Sequence, residues 1–353
     1  MAALVLGSLA LRATVAARCD LYQDEALHWW ETRQPGVNFS PQPPVASQTA
    51  HVALAVLGHG TLALRAGSLL YGTGIVVLAY LVGRDMFGRR AGLWAAAIVV
   101  CCPLLSCIGA VTGPDAPLVF CWLLVVWTGW RAASGSGAWW WAACGLALAV
   151  GLYSKYMMAL AVPSAFLALV GTRKGRAVLR RPGPWAALAL GVVLFAPVFL
   201  AWNASYGWPA FAYHLGARHE WELKAKHPVQ YLLAHAGAYS PLLWVGILVG
   251  LVAGCRAWRR GELRGAWLAA FGGLPILFFL APSVLTARSM IRVQWDEMGY
   301  ATGAVALAAT LSSEGFRRPA GRAWRRFAAA GLALGALVGL VVWTGCVFPS
   351  VPM

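Results

Sequence analysis

Two adjacent acidic residues, Asp24 and Glu25, stand out in a chain that has only 12 Asp and Glu among its 353 residues. They follow the first apolar stretch directly. A carboxylate there can accept a proton from an attacking hydroxyl, and a second one beside it can bind a divalent cation or shape the local field. Asp24 can also serve only as the N-cap of a short helix over residues 25–33. The sequence therefore makes Asp24 a candidate general base and leaves the capping role open.

Asp115 and Lys155 are the next candidates. Asp115 lies in a proline-rich turn over residues 112–117, where an acid can line a cleft or simply cap the following helix. Lys155 is the only Lys or Arg between Arg131 and Arg173. Its ammonium group suits an anionic phosphate, although a lysine near a membrane surface can also extend towards the headgroups.

A third group of candidates lies in the segment 202–238, where Arg218 and His219 lead a run of mixed charge. They can clamp a phosphate or pyrophosphate, or belong to a solvated loop that touches lipid headgroups. The histidines show no spacing that is diagnostic of a metal site: His51, His59, His214 and His219. The metal ligands are therefore unknown, and a divalent cation such as Mg²⁺ or Mn²⁺ stays open as a cofactor.

The composition predicts an integral membrane protein. The chain is 60% hydrophobic and only 11% charged, whereas soluble proteins have about 25% charged residues. Apolar runs recur along the chain, and about 20 apolar residues suffice for a helix to cross a bilayer. We predict an all-α polytopic fold with about eleven transmembrane helices, over residues 2–17, 62–82, 91–110, 117–132, 139–154, 157–171, 184–201, 239–254, 266–284, 298–312 and 327–347.

The charges predict the orientation of these helices. With the N-terminus in the cytoplasm, the inner loops hold 18 of the 28 basic residues but only three of the 12 acids, as the positive-inside rule requires. Nine acids, including Asp24 and Asp115, then face the outside, so we expect the active site on the extracytoplasmic face of the cell membrane. A signal peptide ending near Ala17 is the alternative reading of the first run.

The same pattern predicts the domain organisation. Residues 1–312 form a transmembrane catalytic domain with long outer segments at 18–61 and 202–238 and a short one at 111–116. Residues 313–353 are expected to form a basic inner loop and the last transmembrane helix, without a soluble C-terminal domain. The net charge of +16 is explained by anionic lipid headgroups and not by nucleic acid. Residues 45–57 are expected to form an amphipathic helix in the interface.

Several short motifs share an order and spacing with a known family. They resemble the GT-C glycosyltransferases of the protein O-mannosyltransferase and lipid A aminoarabinose transferase type. The matching pieces are Tyr22-Gln23-Asp24-Glu25-Ala26 with Trp30, Pro43-Pro44, Gly83-Arg84, Gly88-Arg89-Arg90-Ala91-Gly92, Thr112-Gly113-Pro114-Asp115-Ala116-Pro117, Gly151-Leu152-Tyr153-Ser154-Lys155-Tyr156, Pro197-Val198-Phe199, Trp202-Asn203 and Gly207-Trp208.

The resemblance implies transfer of a sugar from a polyprenyl-phosphate donor, with inversion, to an outer hydroxyl of a lipid, a polysaccharide or a protein. Asp24 and Glu25 correspond to the family's acidic pair, with Asp24 as the base, and Asp115 corresponds to its second acid. The remaining correspondences would face the donor phosphate: Lys155, Arg218 and His219.

Two stretches depart from the family's pattern. Pro41-Gln42 replaces the Asp-His that relatives usually show before the two prolines, which weakens any transfer of metal ligation to this chain. Residues 293–297 read Val-Gln-Trp-Asp-Glu where relatives often carry His-Trp-Pro. The alternatives are a transporter or lipid flippase, and a non-catalytic protein with the same fold. A transporter should carry ionisable residues deep within its spans, whereas here they cluster near the span ends.

Overall fold

The computed structural model describes residues 1–34, 36–40, 42–217, 226–285, 292–313 and 322–347. All secondary structure in these ranges is helical, which confirms the predicted all-α class. The α-helices are α1 (Ala2–Arg18), α2 (Gln23–Glu31), α3 (Val45–Leu57), α4 (Thr61–Phe87), α5 (Arg89–Cys101), α6 (Pro103–Cys107), α7 (Asp115–Ala133), α8 (Trp139–Leu152), α9 (Ala161–Val170), α10 (Arg173–Leu179), α11 (Pro182–Ser205), α12 (Pro209–Phe211), α13 (Lys226–Ala238), α14 (Pro241–Arg259), α15 (Leu263–Leu285), α16 (Glu297–Ser312) and α17 (Arg322–Val347). A 3₁₀ helix occupies Tyr156–Leu160 and a π-helical turn Ala212–Ala217.

Every predicted span coincides with helical structure, but the count of eleven membrane crossings is not confirmed. Six helices of the described chain are long and apolar enough to cross a membrane: α4, α7, α11, α14, α15 and α17. A seventh is counted if α1 and α2, which meet at 84°, form one broken span. The difference arises because helices such as α8 and α16 are shorter than the roughly 20 residues that a perpendicular crossing needs.

Helix α16 lies at the centre of the bundle. Nearly all of its residues are buried, and it packs against α4, α5, α7, α14 and α15. Small residues along it, such as Gly299 and Gly303, let neighbouring backbones approach closely. The indole of Trp122 in α7 donates a 3.0 Å hydrogen bond to the Thr302 hydroxyl in α16. Trp122 lies seven residues after the first residue of α7, and Thr302 lies five residues after the first residue of α16. This bond therefore places the first residues of the two helices at a similar height along the bundle.

Two glycines set the close crossing of α4 and α5. A Cβ atom on Gly92 would lie 2.6 Å from the Tyr80 carbonyl oxygen, and one on Gly83 would lie 2.9 Å from the Cα of Gly92. Backbone atoms cannot move aside as a flexible side chain can. Packing therefore explains the glycines at positions 83 and 92 of the Gly83-Arg84 and Gly88–Gly92 motifs.

We expect Gly92→Ala to destabilise the folded protein by about 1–3 kcal/mol, because overpacking forces α4 and α5 apart. Gly273→Ala is the matched control, since a Cβ atom there meets nothing within 4 Å and alanine favours a helix by up to about 1 kcal/mol. Thermal unfolding midpoints of the detergent-solubilised variants check this. Equal midpoints for the two variants would contradict the packing explanation.

Candidate active site

Glu25 is the hub of a buried ion pair. Its side chain is fully buried. The Arg65 guanidinium donates to both carboxylate oxygens, from Nε at 2.8 Å and from Nη2 at 2.6 Å. The backbone N–H of Thr112 donates to Oε1 at 2.7 Å, and that of Tyr22 donates to Oε2 at 3.0 Å. This two-pronged contact ties α2 to α4 and to the turn before α7.

The guanidinium of Arg65 also binds the backbone at the C-terminal end of α1. Arg65 donates to the carbonyl oxygens of Ala16, Cys19 and Asp20 at 2.9, 2.8 and 2.7 Å. Ala16 lies in the last turn of α1, where the carbonyl acceptors have no partner within the helix, and Cys19 and Asp20 follow the end of the helix. The chain leaves α1 in an extended conformation at Cys19, and α2 then departs at 84°. One arginine thus fixes the position and direction of α2.

Asp24 points the other way. It is exposed, and its carboxylate makes no hydrogen bond or ion pair with the residues that the structure describes. Tyr22 is the N-cap residue and α2 begins at Gln23, so Asp24 lies within the first turn and does not cap the helix. The adjacent acids therefore differ: Glu25 is occupied by Arg65, and Asp24 is open to solvent. We accordingly propose a positioning role for Glu25 in place of the catalytic role expected from the sequence.

Asp115 and Lys155 are brought together. Asp115 is the first residue of α7, and Lys155 lies at the break between α8 and the 3₁₀ helix, with extended backbone angles. The ammonium group of Lys155 donates to Oδ1 of Asp115. The Lys155 side chain is only 5% exposed, so it does not extend to the membrane surface.

Glu297 joins this pair and was not a candidate in the sequence analysis. It is the first residue of α16 and is fully buried. It lies beside Asp115 and Lys155, and burial together with the Asp115 charge raises its pKa well above the ordinary value. Neither of its oxygens accepts a hydrogen bond from the residues described. The sequence feature that could have identified Glu297 is the acidic pair Asp296-Glu297, which directly precedes a stretch without Asp or Glu at residues 298–313.

Asp296 belongs to a separate buried cluster that the sequence analysis also missed. Its Oδ1 lies 2.9 Å from Nε2 of His235, and the hydroxyl of Tyr231 donates to Oδ2. The Nδ1 atom of His235 lies 2.7 Å from the Tyr231 carbonyl oxygen. Burial raises the pKa of Asp296. These contacts anchor α13 to the start of α16, next to Glu297.

The loop before α3 is docked beside Lys155. The hydroxyl of Tyr156 donates to the Phe39 carbonyl oxygen at 2.5 Å, and the Val45 N–H donates to the Tyr153 carbonyl oxygen at 3.0 Å. The buried Phe39 ring also contacts four aromatic rings: Tyr153, Phe195, Phe199 and Trp202. We call this arrangement the Phe39 nest. It holds the loop over residues 36–40 against α11.

The structure describes only some of the remaining candidate site residues. Arg218 and His219 lie outside the described residues. His51 contacts the Thr32 carbonyl oxygen at 2.9 Å. In the part of the chain that the structure covers, no three His, Cys, Asp or Glu side chains converge so as to hold a metal ion. The donors in this part of the chain therefore do not assemble a site for Mg²⁺ or Mn²⁺.

Three helix starts thus meet at one end of the bundle. We call this region the acidic end and define it by the first turns of α2, α7 and α16. It contains an exposed carboxylate at Asp24, the Asp115–Lys155 ion pair and the buried Glu297. Such a set can accept a proton from a substrate and offer a cation and two helix N-termini to an anion.

The sequence profile of a known family matches part of the chain. It is described as "Dolichyl-phosphate-mannose-protein mannosyltransferase" and matches residues 41–202. The matched region contains Asp115 and Lys155 but not Asp24.

Two curated relatives align with parts of the chain. The undecaprenyl phosphate-alpha-4-amino-4-deoxy-L-arabinose arabinosyl transferase of Erwinia tasmaniensis is 30% identical over 243 residues, which are 64% of this chain and 42% of the relative. The putative mannosyltransferase YkcB of Bacillus subtilis is 29% identical over 126 residues, 36% of this chain and 18% of the relative.

Solved structures share the fold over almost the whole chain. ArnT from Cupriavidus metallidurans bound to undecaprenyl phosphate superposes with a TM-score of 0.70 at 18% identity, covering 99% of this chain and 65% of that one. The oligosaccharyltransferase AglB from Archaeoglobus fulgidus, in complex with an inhibitory peptide and a dolichol-phosphate, gives 0.61 at 13% identity, covering 99% and 56%. The chain spans less than two thirds of the length of each of these four proteins. The chain is therefore a multi-pass membrane protein that resembles this mannosyltransferase family over residues 41–202 and shares the fold of ArnT and AglB over almost its whole length.

Proposed function

We propose that this protein transfers a sugar from a polyprenyl-phosphate donor to an acceptor hydroxyl at the extracytoplasmic face of the cytoplasmic membrane. The observation that carries the proposal is the free carboxylate of Asp24, held on a helix that the Glu25–Arg65 ion pair locks in place. A general base must be open to its substrate and yet fixed in position, and Asp24 meets both requirements.

The reaction follows from these groups. Asp24 accepts the proton of the acceptor hydroxyl as that oxygen attacks the anomeric carbon of the sugar. The bond from this carbon to the phosphate oxygen breaks, and polyprenyl phosphate leaves with the bonding electrons. Attack from the side opposite the phosphate inverts the anomeric configuration. Base assistance of this kind contributes about 10²–10⁴-fold to the rate.

The leaving phosphate would be received by Lys155. Its ammonium group is paired with Asp115 in the ligand-free protein and would turn to the phosphate when the donor binds. The N-termini of α7 and α16 add partial positive charge at the same place. Charge grows on the phosphate as the bond breaks, so groups placed here stabilise the transition state more than the bound substrate. Arg218 and His219 stay proposed phosphate contacts from the sequence alone.

An apolar cleft offers a place for the polyprenyl tail. It lies between α7, α8, α9, α11 and α15 and has a volume of about 110 Å³. Ala161, Ala165 and Phe166 line it along α9, and α9 begins six residues after Lys155. A tail whose phosphate is at Lys155 can therefore run along α9 into the cleft. Each buried methylene is worth about 0.8 kcal/mol, so the cleft favours long-chain donors.

We expect Ala165→Trp to lower kcat/KM for a long-chain donor by roughly 10- to 50-fold, the effect of losing about two to three buried methylenes. A donor with only two isoprene units should be used as well as by the wild type. The matched control is Val193→Trp, which adds the same bulk at a 65% exposed position on α11. Steady-state kinetics with both donors check this, and an equal loss with the short donor would contradict the tail assignment.

The function itself is tested in liposomes that contain the purified protein and radiolabelled polyprenyl-phosphate sugars. Envelope lipids, glycans and peptides are offered in turn as acceptors. We expect the label to move to one acceptor class with release of polyprenyl phosphate. Movement of the intact donor between leaflets without transfer would establish a flippase instead. Transfer from a nucleotide sugar would equally overturn the proposal.

A further inference from the structure

We propose that Glu297 and Asp115 form a proton-binding site, in which Glu297 stays a neutral carboxylic acid and donates its proton to the Asp115 carboxylate. Asp115 is then the one anion that pairs with Lys155. The proton site rests on the burial of Glu297, on its unpartnered oxygens and on the neighbouring Asp115–Lys155 ion pair. Its consequence for catalysis rests on the proposed function.

The helix arrangement brings the two acids together. Asp115 and Glu297 are each the first residue of a helix, α7 and α16. The hydrogen bond from Trp122 to Thr302 aligns these helices between one and two turns further in. The carboxyl groups are therefore neighbours at the acidic end, although 182 positions separate them in the sequence.

The lack of hydrogen-bond donors to Glu297 requires a proton between the carboxyl groups of Glu297 and Asp115. Glu297 is fully buried and receives no hydrogen bond from the described residues. An ionised carboxylate in that position would cost several kcal/mol in lost hydration. A protonated carboxyl group instead becomes a donor, and the adjacent Asp115 carboxylate is an acceptor. The proton therefore turns two repelling acids into a hydrogen-bonded pair.

The charges around Glu297 favour the protonated form of its carboxyl group. Lys155 supplies one positive charge, and Asp115 already holds it. Asp296 faces His235 and Tyr231 and offers Glu297 no donor. The charged or titratable groups that act on Glu297 or feel its charge are Asp115, Lys155, Asp296 and Tyr239. Only one of them is a cation, so two ionised acids beside Lys155 would leave an unbalanced negative charge.

The shared proton lowers the cost of releasing Lys155. When a donor phosphate binds, Lys155 must turn away from Asp115. A partly exposed Asp115 carboxylate without any partner would then repel the phosphate. The Glu297 hydrogen bond stays on Asp115 throughout this exchange, so that Asp115 keeps one partner. Glu297 is thus a positioning residue that acts through Asp115 and Lys155.

A double-mutant cycle on the full chain tests the proton site. Glu297→Gln keeps a neutral donor towards Asp115, so we expect an unfolding midpoint within a few degrees of the wild type at pH 7. In Asp115→Asn, Glu297 can release its proton and pair with Lys155, so the midpoint should fall only moderately. The double variant leaves Lys155 buried without an anion. Its midpoint should fall by clearly more than the sum of the two single shifts.

The pH dependence of stability gives a second readout. An unfolded glutamate loses its proton near 4.5, whereas burial holds the folded pKa of Glu297 well above that value. The folded protein therefore binds one proton more than the unfolded chain between these two pKa values. The stability that is present below pH 4.5 is thus lost as the pH rises towards the folded pKa. Glu297→Gln should flatten this slope, and the exposed Glu262→Gln control should not.

Infrared difference spectra give the direct measurement. The C=O stretching band of a protonated carboxylic acid should be present in the wild type at pH 7, remain in Asp24→Asn and disappear in Glu297→Gln. A wild type without this band, or additive shifts in the cycle, would show Glu297 ionised and overturn the proposal. These readouts need no donor, so they fail or succeed independently of the sugar-transfer assay.

Discussion

Replacing Asp24 by Asn should reduce sugar transfer by about 10²–10⁴-fold, the contribution of a general base. The loss should appear in kcat, because the base acts in the transition state, and the affinity for the donor should change little. The fold should be unaffected, since Asp24 is exposed and its carboxylate makes no hydrogen bond or ion pair with the described residues. Transfer assays in liposomes, together with unfolding midpoints, measure both quantities.

Asp20→Asn is the matched control for this prediction. Asp20 is also an exposed acid and lies four residues before Asp24. Only its backbone carbonyl oxygen is used, as an acceptor for Arg65. The control should retain wild-type transfer. If Asp24→Asn also retains it, the base assignment is wrong, and another group must accept the proton.

Replacing Arg65 by Ala is expected to have the largest effect on stability. It leaves the Glu25 carboxylate buried without its cation, a change that costs about 3–5 kcal/mol. It also removes the donors that end α1. We therefore expect little folded protein in the membrane, and transfer should fall with it because α2 loses its direction. The yield of monodisperse protein and its unfolding midpoint are the measurements.

Two further variants separate charge from packing at this site. Glu25→Gln combined with Arg65→Gln removes both charges and should recover part of the stability, because a neutral pair carries a smaller desolvation cost. Arg260→Ala breaks the ion pair with Glu262, whose side chains are 67% and 53% exposed. That exposed pair should contribute at most about 1 kcal/mol. If Arg65→Ala behaves like Arg260→Ala, the buried pair does not hold α2.

The sequence predicted the helical class and the positions of the helices, because apolar runs are local signals. It also selected Asp24, Asp115 and Lys155, since rare charges in an apolar chain are conspicuous. It did not separate Glu25 from Asp24. Consecutive residues on a helix point in different directions, but which of them faces inward depends on Arg65, 40 positions away in the sequence.

Asp296 and Glu297 show the other limit of the sequence. Their stretch was noted only as a departure from the family's pattern. Their importance arises from contacts with α7 and α13, which no local pattern reveals. The predicted count of eleven crossings is not confirmed for a related reason: α8 and α16 were counted as spans from their apolar composition, although these helices are shorter than a perpendicular crossing needs.

The Glu25–Arg65 ion pair has a practical consequence for engineering. Near Asp24, helix α2 is held by α1, α4 and the turn before α7. Its other end contacts the following segment, through Asn38 and Glu31 at 3.5 Å and through His51 and the Thr32 carbonyl oxygen at 2.9 Å. Segments grafted between Thr32 and Asn38, with both contacts kept, should therefore alter which acceptor reaches the proposed base without displacing it, so that new acceptor preferences can be selected.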